Sequence, residues 1–316
     1  MLVLDDLGSR RCCTNKVGCP FVEPMPWRVV DDLACPVVAL GHHRFDIRYR
    51  ALVMGILNRT PDSFFDGGAY YDFDAFLGKA EQLVGEGADF LDVGGVKAGP
   101  GPEVGPEEEL DRVIPAIEAL QQRFDLPLSV DTWRASVLQE AIAAGAVVGN
   151  DISGFEDPAY LTVAAAGGAS VVATHIRIGP RVPDPNPVYD EPVIAVVARF
   201  LRQRAEQAEA AGIPREQVMV DAGLDLGKSE SQSLALLRSH DQLAQLGWPL
   251  FLSASNKRFL GALVGQEVGD RRDVSHAAHA FGISQGCRVL RAHDVRGARR
   301  TADVMAAVLE ARVSTG

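Results

Sequence analysis

The chain has 316 residues, of which 47% are hydrophobic and 23% are charged, and it carries a net charge of −11. This composition supports a full-sized hydrophobic core and excludes general disorder. The negative charge argues against non-specific binding to nucleic acid or an anionic membrane, because both favour an excess of Lys and Arg. No apolar run approaches the roughly 20 residues of a membrane span, and the acidic start lacks the order of a signal peptide. The simplest interpretation is a cytoplasmic protein.

The first 36 residues are predicted to form an irregular extension rather than a domain. They contain four prolines and no sustained periodicity. Four of the five cysteines also lie here, at positions 12, 13, 19 and 35. Their spacing matches no C-x2-C metal pattern, so we interpret them as reduced and incidental. Residues 37–316 are predicted to form a single domain.

Hydrophobic periodicity predicts the elements of that domain. Residues 36–46 alternate weakly and predict a short hairpin, and from Leu52 onward short apolar runs alternate with helical stretches. The predicted strands are 52–57, 89–93, 127–131, 146–150, 170–174, 217–221, 248–252 and 287–292. The predicted helices are 73–87, 106–123, 133–144, 158–166, 190–211, 231–245, 270–285 and 295–312. Eight strand–helix units in roughly 260 residues predict an α/β fold, a (β/α)8 TIM barrel. A doubly wound sheet is the alternative.

An unusually long loop follows the first barrel strand. The apolar run ends at Asn58, a polar loop carrying Asp62 and Ser63 follows, and a helical pattern begins near Phe73. Strand–helix connections are usually about 2–6 residues long, so an ordinary connection is the weaker explanation. The length favours a ligand or metal site at this strand end.

Polar residues follow every predicted barrel strand. The loops after the strands of such a barrel line one mouth, where chemistry takes place. The strand ends carry Asn58, Asp92, Asp131, Asn150, Asp151, His175, Asp221, Lys257, Arg291 and His293. A single Asp or Asn often only caps a helix or turns the chain. Eight polar ends in succession indicate a site, because buried carboxylates cost several kcal/mol unless they are paired.

The charges at these strand ends segregate. Acids and amides follow the first four strands and the sixth, whereas Lys257, Arg291 and His293 follow the last two. Phosphate-binding barrels frequently hold the anion there, and these three groups suit a phosphate or pyrophosphate. The carboxylate of Asp221 can accept two parallel N–H bonds from a flat heterocycle, and Asn150 offers a donor and an acceptor to the same ring.

Several short segments carry a resemblance to a known family. They are Met54–Gly68, Asp92–Gly95, Val130–Thr132, Asn150–Gly154 and Arg291–Asp294, with a partial match at Asp221–Lys228. In these segments the chain resembles dihydropteroate synthase, the folate-pathway enzyme of the pterin-binding barrel superfamily. The resemblance extends over residues 38–312.

The resemblance implies roles for specific residues. The dihydropterin would be held by Asp131, Asn150, Asp221 and Lys257. Pyrophosphate would be bound by Asn58, Arg291 and His293, with Mg²⁺ at Asn58, and the catalytic residues would be Lys257, Arg291 and His293. In the family, the amine of p-aminobenzoate displaces pyrophosphate from 6-hydroxymethyl-7,8-dihydropterin pyrophosphate. Family members are commonly homodimers that associate through the late helices.

Two loops depart from the family pattern. The usual Gly-Gly-Glu-Ser-Thr-Arg-Pro-Gly after the second strand is replaced by the segment 94–101, in which Lys97, Ala98 and Gly99 stand where the family has Ser, Thr and Arg. Lys97 can replace the charge but not the planar fork of Arg. After the seventh strand, Asn256 stands in place of the usual Arg, and in the sixth-strand motif Asp225 stands where Gly is common.

These departures leave three functions open. The prediction is a synthase-like transferase that condenses dihydropterin pyrophosphate with p-aminobenzoate. The alternative is a catalytically silent pterin- or phosphate-binding paralogue with a regulatory or partner-binding role, as in an actinobacterial-type branch with a divergent second loop. The third is a barrel that transfers a methyl group from methyltetrahydrofolate to a corrinoid. In that barrel the pair Arg291 and His293 would be surplus.

Two histidines lie three residues apart on a predicted helix. His276 and His279 could ligate a metal together, but the sequence offers no third ligand nearby. We interpret them as residues that pack at the helix surface.

Overall fold

Eight parallel strands close a barrel in the computed structural model, which describes residues 29–30, 32–59, 69–99, 101–267 and 270–313. The strands in chain order are β1 (Val37–Leu40), β2 (His43–Asp46), β3 (Leu52–Asn58), β4 (Phe90–Gly94), β5 (Leu128–Asp131), β6 (Val148–Asp151), β7 (Ser170–Thr174), β8 (Val218–Asp221), β9 (Leu250–Leu252) and β10 (Cys287–Ala292). Around the barrel their order is β10-β3-β4-β5-β6-β7-β8-β9. The predicted (β/α)8 barrel is confirmed.

Helices surround the barrel. They are α1 (Ala69–Gly85), α2 (Pro106–Arg123), α3 (Ala135–Ala143), α4 (Tyr160–Ala166), α5 (Val193–Ala210), α6 (Glu230–Arg238), α7 (His240–Ala244), α8 (Arg258–Val264), α9 (Arg272–Ser284) and α10 (Val295–Val313). Three features differ from the prediction. Helix α1 begins at Ala69, four residues before the predicted start at residue 73. The predicted helix 231–245 divides at Ser239, and the seven-residue helix α8 was not predicted, because so short a segment gives little helical periodicity.

The predicted hairpin is present and closes the N-terminal end of the barrel. Strands β1 and β2 pair antiparallel, and Val38, Leu40 and Ile47 pack under the side chains that fill the barrel. Those interior side chains are Leu52, Met54, Phe90, Val148, Val172, Met219, Phe251 and Val289. The Arg288 guanidinium is fully buried and donates to the carbonyl of Ile47 at 3.0 Å. Among the described residues, this packing covers the N-terminal end and leaves the opposite mouth as the open end of the barrel.

Most of the predicted N-terminal extension lies outside the described residues. Of its described part, Val30 donates to the Ser284 carbonyl at 2.9 Å and accepts from Arg288 at 3.2 Å. The domain boundary at residue 36 stays a prediction. None of the described helices combines the length and the apolar character that a bilayer crossing requires.

Candidate active site

The barrel brings the described candidate residues to its C-terminal mouth. Asn58 ends β3, Asp131 ends β5, Asn150 lies in β6, Asp221 ends β8, Lys257 precedes α8, Arg291 lies in β10 and His293 follows it. Strand register makes several of them neighbours, because Asn58 and Asp131 both pair with Gly94 and Asp131 pairs with Asn150. Asp62 and Ser63 lie outside the described residues.

A buried carboxylate, Asp92, organises this mouth. Its oxygens accept from the Ser129 hydroxyl at 2.7 Å and from the Asn150 amide at 3.1 Å. They also accept from Arg291 Nε at 2.7 Å. Sequence reasoning placed Asp92 at a strand end without giving it a role. A charged residue within a wholly buried strand was the available signal, since such a group requires partners.

One guanidinium joins two carboxylates. Arg291 donates through Nε to Asp92 and through Nη2 to Asp131 at 2.8 Å. These bonds fix the plane of the group and leave three of its five N–H bonds for an acceptor other than these two carboxylates. The Arg291 side chain therefore pairs with two carboxylates and has fixed N–H groups left that could donate hydrogen bonds to an anion.

The two carboxylates share a single nearby guanidinium, so their charges are not fully balanced. Burial, opposed by Arg291 and reinforced by Asp92, raises the pKa of Asp131 to about 7. Asn150 uses one amide N–H for Asp92, which leaves its oxygen and its second N–H for a ligand. This edge of the mouth can therefore gain from a ligand that supplies N–H donors.

Asp221 is held on the opposite side of the barrel. Its Oδ1 accepts the Gly223 N–H at 2.9 Å, which fixes the carboxylate plane. Gly223 has φ +63°, and a Cβ there would lie 2.0 Å from the His175 carbonyl oxygen, so only glycine fits. Burial raises the pKa of Asp221, and burial lowers the pKa of Lys257, with each charge opposing the shift of the other.

His293 borders the same space from β10. Its backbone N–H donates to the Ser255 hydroxyl at 3.1 Å, and its ring Nδ1 lies 3.0 Å from that oxygen. The hydroxyl that accepts the backbone N–H can also donate to Nδ1, and in that tautomer the ring N–H lies on Nε2 and can donate to a ligand. The pKa of His293 is lowered to about 4, mainly by the surrounding protein atoms and to a smaller extent by the charges of Arg291 and Lys257. His293 is thus a neutral donor at pH 7.

A second lysine stabilises the loop after β8. Lys228 Nζ donates to the carbonyls of Gly223, Leu226 and His175 at 2.8, 2.9 and 3.1 Å. It also lies 2.9 Å from His175 Nδ1. Burial lowers the pKa of Lys228 to about 7 and that of His175 to about 3. The ammonium donors are thereby directed to loop carbonyls and the imidazole.

Strained backbone is concentrated in the loops at this mouth. The non-glycine residues with positive φ among those described are Phe155, Arg181, Asp225 and Asn256, each in a loop that follows a barrel strand. Asp225 and Asn256 are two of the positions that depart from the family pattern. The Asp225 carboxylate accepts the Arg258 N–H at 2.5 Å and so caps α8. Such strain persists only where surrounding contacts hold it.

The second loop, which follows β4 and carries Lys97, is contacted by a guanidinium that the sequence did not reveal. Arg181, from the loop after β7, donates to the carbonyl of Lys97 at 3.0 Å and to the carbonyl of Pro102. The backbone N–H of Arg181 donates to the Ala98 carbonyl at 3.2 Å. The Lys97 side chain is exposed. This loop thus contacts an Arg from another part of the chain, but the Arg181 guanidinium donates to backbone carbonyls.

The predicted Mg²⁺ position has an oxygen-rich environment. The side-chain oxygens Asn58 Oδ1 and Asp131 Oδ2 lie 3.2 and 3.7 Å from the point that a Cβ on Gly94 would occupy. Mg²⁺ prefers oxygen ligands and is commonly held by one or two protein groups together with substrate phosphates. Within the described residues, no group of three His, Cys, Asp or Glu side chains could hold a metal alone. The residues therefore fit a magnesium ion that a substrate phosphate helps to bind.

Comparisons with known proteins agree with this geometry. A family model described as pterin binding enzyme matches residues 54–293. The chain is 42% identical over 273 residues to a Mycobacterium leprae protein named inactive dihydropteroate synthase 2, covering 84% of this chain and 93% of that protein. It is 37% identical over 262 residues to the Bacillus subtilis dihydropteroate synthase, covering 82% of this chain and 89% of that enzyme.

Solved structures give the same result. The Xanthomonas albilineans dihydropteroate synthase with 4-aminobenzoic acid has a TM-score of 0.80 and 39% identity, covering 87% of this chain and 98% of that one. The same enzyme in complex with 7,8-dihydropteroate has a TM-score of 0.77 and 38% identity, covering 86% and 98%.

Proposed function

The chain belongs to the pterin-binding enzyme family, and from this premise we propose that its mouth binds dihydropterin pyrophosphate and transfers the dihydropterin to the amine of p-aminobenzoate. The observation that carries the proposal is the network around Arg291. In this network one set of hydrogen bonds joins a guanidinium that can bind an anion to Asp92, Asp131 and Asn150. A ring with N–H donors and an attached anion complements both parts of that set.

The pterin would lie between the two carboxylate edges. Asp131 and Asn150 would bind one edge of the ring, and Asp221 with Lys257 would bind the other. The fixed planes of the Asp221 and Asn150 side chains support this assignment, because a preorganised site loses less entropy on binding.

The pyrophosphate would accept hydrogen bonds from Arg291 and from His293 Nε2. As the amine nitrogen bonds to the methylene carbon, the carbon–oxygen bond to pyrophosphate breaks, its electron pair remains on the leaving oxygen, and the amine nitrogen then releases a proton to water. These donors would stabilise the charge that develops on the leaving oxygen, which is where electrostatic stabilisation lowers a barrier. Mg²⁺ at Asn58 would neutralise part of the same charge. Alignment of the two substrates would supply the remaining part of the rate enhancement.

Pyrophosphate release tests the proposal directly. Release is measured from dihydropterin pyrophosphate and Mg²⁺, with and without p-aminobenzoate. We expect release that depends on the arylamine and falls by about 100-fold or more in Lys257→Ala, the scale of losing a preorganised charge. Arg300→Ala, which changes an exposed charge on α10, is the control and should retain activity. Absence of arylamine-dependent release from the folded wild-type protein would refute the transferase.

A second function is favoured by the second loop. Arg181 engages the carbonyls of Lys97 and Pro102, and this loop lacks the hydroxyl and guanidinium of the family pattern. The similar M. leprae protein is named inactive. These observations support a pterin-binding barrel without turnover. Calorimetry distinguishes the two functions, because a silent paralogue binds the dihydropterin but neither binds p-aminobenzoate nor releases pyrophosphate.

A further inference from the structure

A polar cleft opens beside the mouth, outside the residues assigned to the pterin. It has a volume of about 410 Å³ and lies between α1, α9, the start of α10 and the loop that carries Asn256. His293 and Ser255 form its inner boundary with the mouth. Its size falls within the range of small-molecule sites, about 300–1,000 Å³.

A buried histidine lines this cleft without a hydrogen-bond partner. His279 is only 1% exposed, and neither of its ring nitrogens has a partner in the structure. A neutral imidazole has one N–H donor and one lone-pair acceptor, and leaving either unpaired on burial is unfavourable. The sequence-based interpretation of His279 as a packing residue therefore leaves its polar atoms unexplained. A ligand with both acceptor and donor oxygens would satisfy them.

The charges around the cleft favour an anion. Its cationic side chains are Lys79, Arg272 and Arg296, and its acidic ones are Glu86 and Asp294. Arg272 Nε lies 3.3 Å from Asp294 Oδ2 in an ion pair, and the Arg272 side chain is 75% exposed. Arg296 Nη2 lies 3.5 Å from Glu86 Oε1, and Lys79 Nζ donates to Gln82 Oε1 at 3.2 Å. Three cations face two carboxylates, and this positive excess contrasts with the net charge of −11 of the whole chain.

A departure from the family pattern borders the same space. Asn256 lines the cleft at a position where the family usually has the much longer Arg. Its φ of +58° is one that Asn tolerates better than most residues, and its backbone N–H donates to Ser275 Oγ on α9 at 3.0 Å. The shorter side chain leaves room beside His293 that a long Arg could occupy.

We propose that this cleft binds a small organic phosphate that carries hydroxyl groups, at a site that shares His293 with the proposed pyrophosphate position but contains none of the residues assigned to the pterin ring. Arg272 and Lys79 bind the phosphate oxygens, and the two ring nitrogens of His279 pair with two different ligand oxygens, a hydroxyl that donates to one nitrogen and an oxygen that accepts from the other. A metal ion is the weaker ligand, because no group of three His, Cys, Asp or Glu side chains among the described residues could hold one. A plain carboxylate is weaker as well, since it cannot donate to the imidazole.

Histidine-selective ¹⁵N NMR and calorimetry on the full chain test the site, with ribose 5-phosphate, inorganic phosphate and ribose as probes. No pterin is present, so the result does not depend on the proposed transferase. We expect ribose 5-phosphate to bind more tightly than inorganic phosphate and to shift the imidazole signals that His279→Phe removes. Arg272→Gln, a change at an exposed side chain, should weaken binding about tenfold, the effect of losing one hydrogen bond to a charged group.

His240→Phe is the matched control for His279→Phe. His240 is equally buried and also has an unpartnered Nε2, but it lies on α7 and does not line the cleft. This variant should keep ribose 5-phosphate binding, whereas His279→Phe should lose the preference over inorganic phosphate. Unmoved His279 signals at saturating ribose 5-phosphate would overturn the proposal. Unchanged affinity in Arg272→Gln would overturn it even if His279→Phe failed to fold.

Discussion

Arg291 combines two tasks that a single charge seldom performs. It compensates the buried Asp92, and it presents its remaining N–H bonds to the mouth. A buried ion pair contributes little net stability, yet removing one partner is costly because the other charge stays behind. The site therefore depends on Asp92 even though this carboxylate, hydrogen-bonded to Ser129, Asn150 and Arg291, is fully buried behind them.

We predict that Asp92→Asn destabilises the protein and weakens anion binding together. The amide removes the negative charge beside Arg291 and turns an N–H group toward donors, so we expect a loss of about 2–4 kcal/mol in the free energy of unfolding. Pyrophosphate affinity should fall at the same time, because the guanidinium loses its orientation. Urea denaturation and calorimetry measure the two effects.

Asp89→Asn is the control for this experiment. Asp89 pairs with Arg50 at 2.7 Å and with Arg299 at 2.9 Å, and it precedes β4, at the end of the barrel opposite the mouth. Its substitution should lower stability without changing pyrophosphate affinity. Equal affinity losses in the two variants would show that the effect of Asp92 is a general loss of folding.

Asp131 predicts a pH dependence of pterin binding. Its pKa is raised to about 7 by burial, so the carboxyl is largely protonated at pH 6 and largely ionised at pH 8. A ring that donates N–H bonds prefers the ionised form. Dihydropterin affinity should therefore rise between pH 6 and pH 8, with proton release near pH 7 that calorimetry in buffers of different ionisation enthalpy detects. An Asp131→Asn variant that kept the same pH dependence would contradict this assignment.

At the scale of elements, the segment between β7 and α5 contacts two other loops of the mouth. Arg181 binds the second loop, and Arg177 pairs with Asp184 beside Gly227. Tyr189 donates to the Gly227 carbonyl at 2.8 Å, in the loop after β8. Loops that are joined in this way respond together when one of them moves.

We predict that Arg181→Ala releases the second loop. The substitution removes side-chain hydrogen bonds to the carbonyls of Lys97 and Pro102. Each is worth about 1 kcal/mol, so amide exchange in residues 97–103 should accelerate by about tenfold or more. Hydrogen-exchange mass spectrometry measures it. Arg199→Ala, which breaks an exposed pair with Glu191, should leave the second loop unchanged. Equal exchange in both variants would show that Arg181 does not hold the loop.

The sequence predicted the elements well because each barrel strand is short, apolar and followed by a polar residue. Strand β3 illustrates this, since the predicted 52–57 became Leu52–Asn58. The candidate residues converge for the same reason, because parallel strands deliver their ends to one mouth. The contact of Arg181 with Lys97 was invisible, because it joins loops 84 residues apart. Likewise, the helical spacing of α9 is consistent with a buried His279, but nothing in the sequence indicates that a cleft lies beside it.

The whole molecule is asymmetric between the two ends of the barrel. The N-terminal end is sealed by the hairpin and by Arg288, whereas the mouth contains the unbalanced carboxylates and the strained loop residues. The residues that stabilise the fold at the sealed end are therefore distinct from the candidate binding residues at the mouth. Substitutions at the sealed end should act mainly on unfolding, and substitutions at the mouth mainly on binding.

Association through the late helices stays a prediction from the family resemblance, and α10 offers a surface for it. Val304 and Val308 are 64% and 48% exposed and lie one helical turn apart, on the same face. An apolar face of this kind gains stability when a second copy covers it. We therefore expect light scattering to give the mass of a homodimer at micromolar concentration, and Val304→Asp with Val308→Asp to give a folded monomer. Val188→Asp, at a loop residue that is 70% exposed, should remain dimeric, because it lies outside the late helices. A monomeric wild-type protein would contradict the prediction, and a dimeric double variant would place the interface elsewhere.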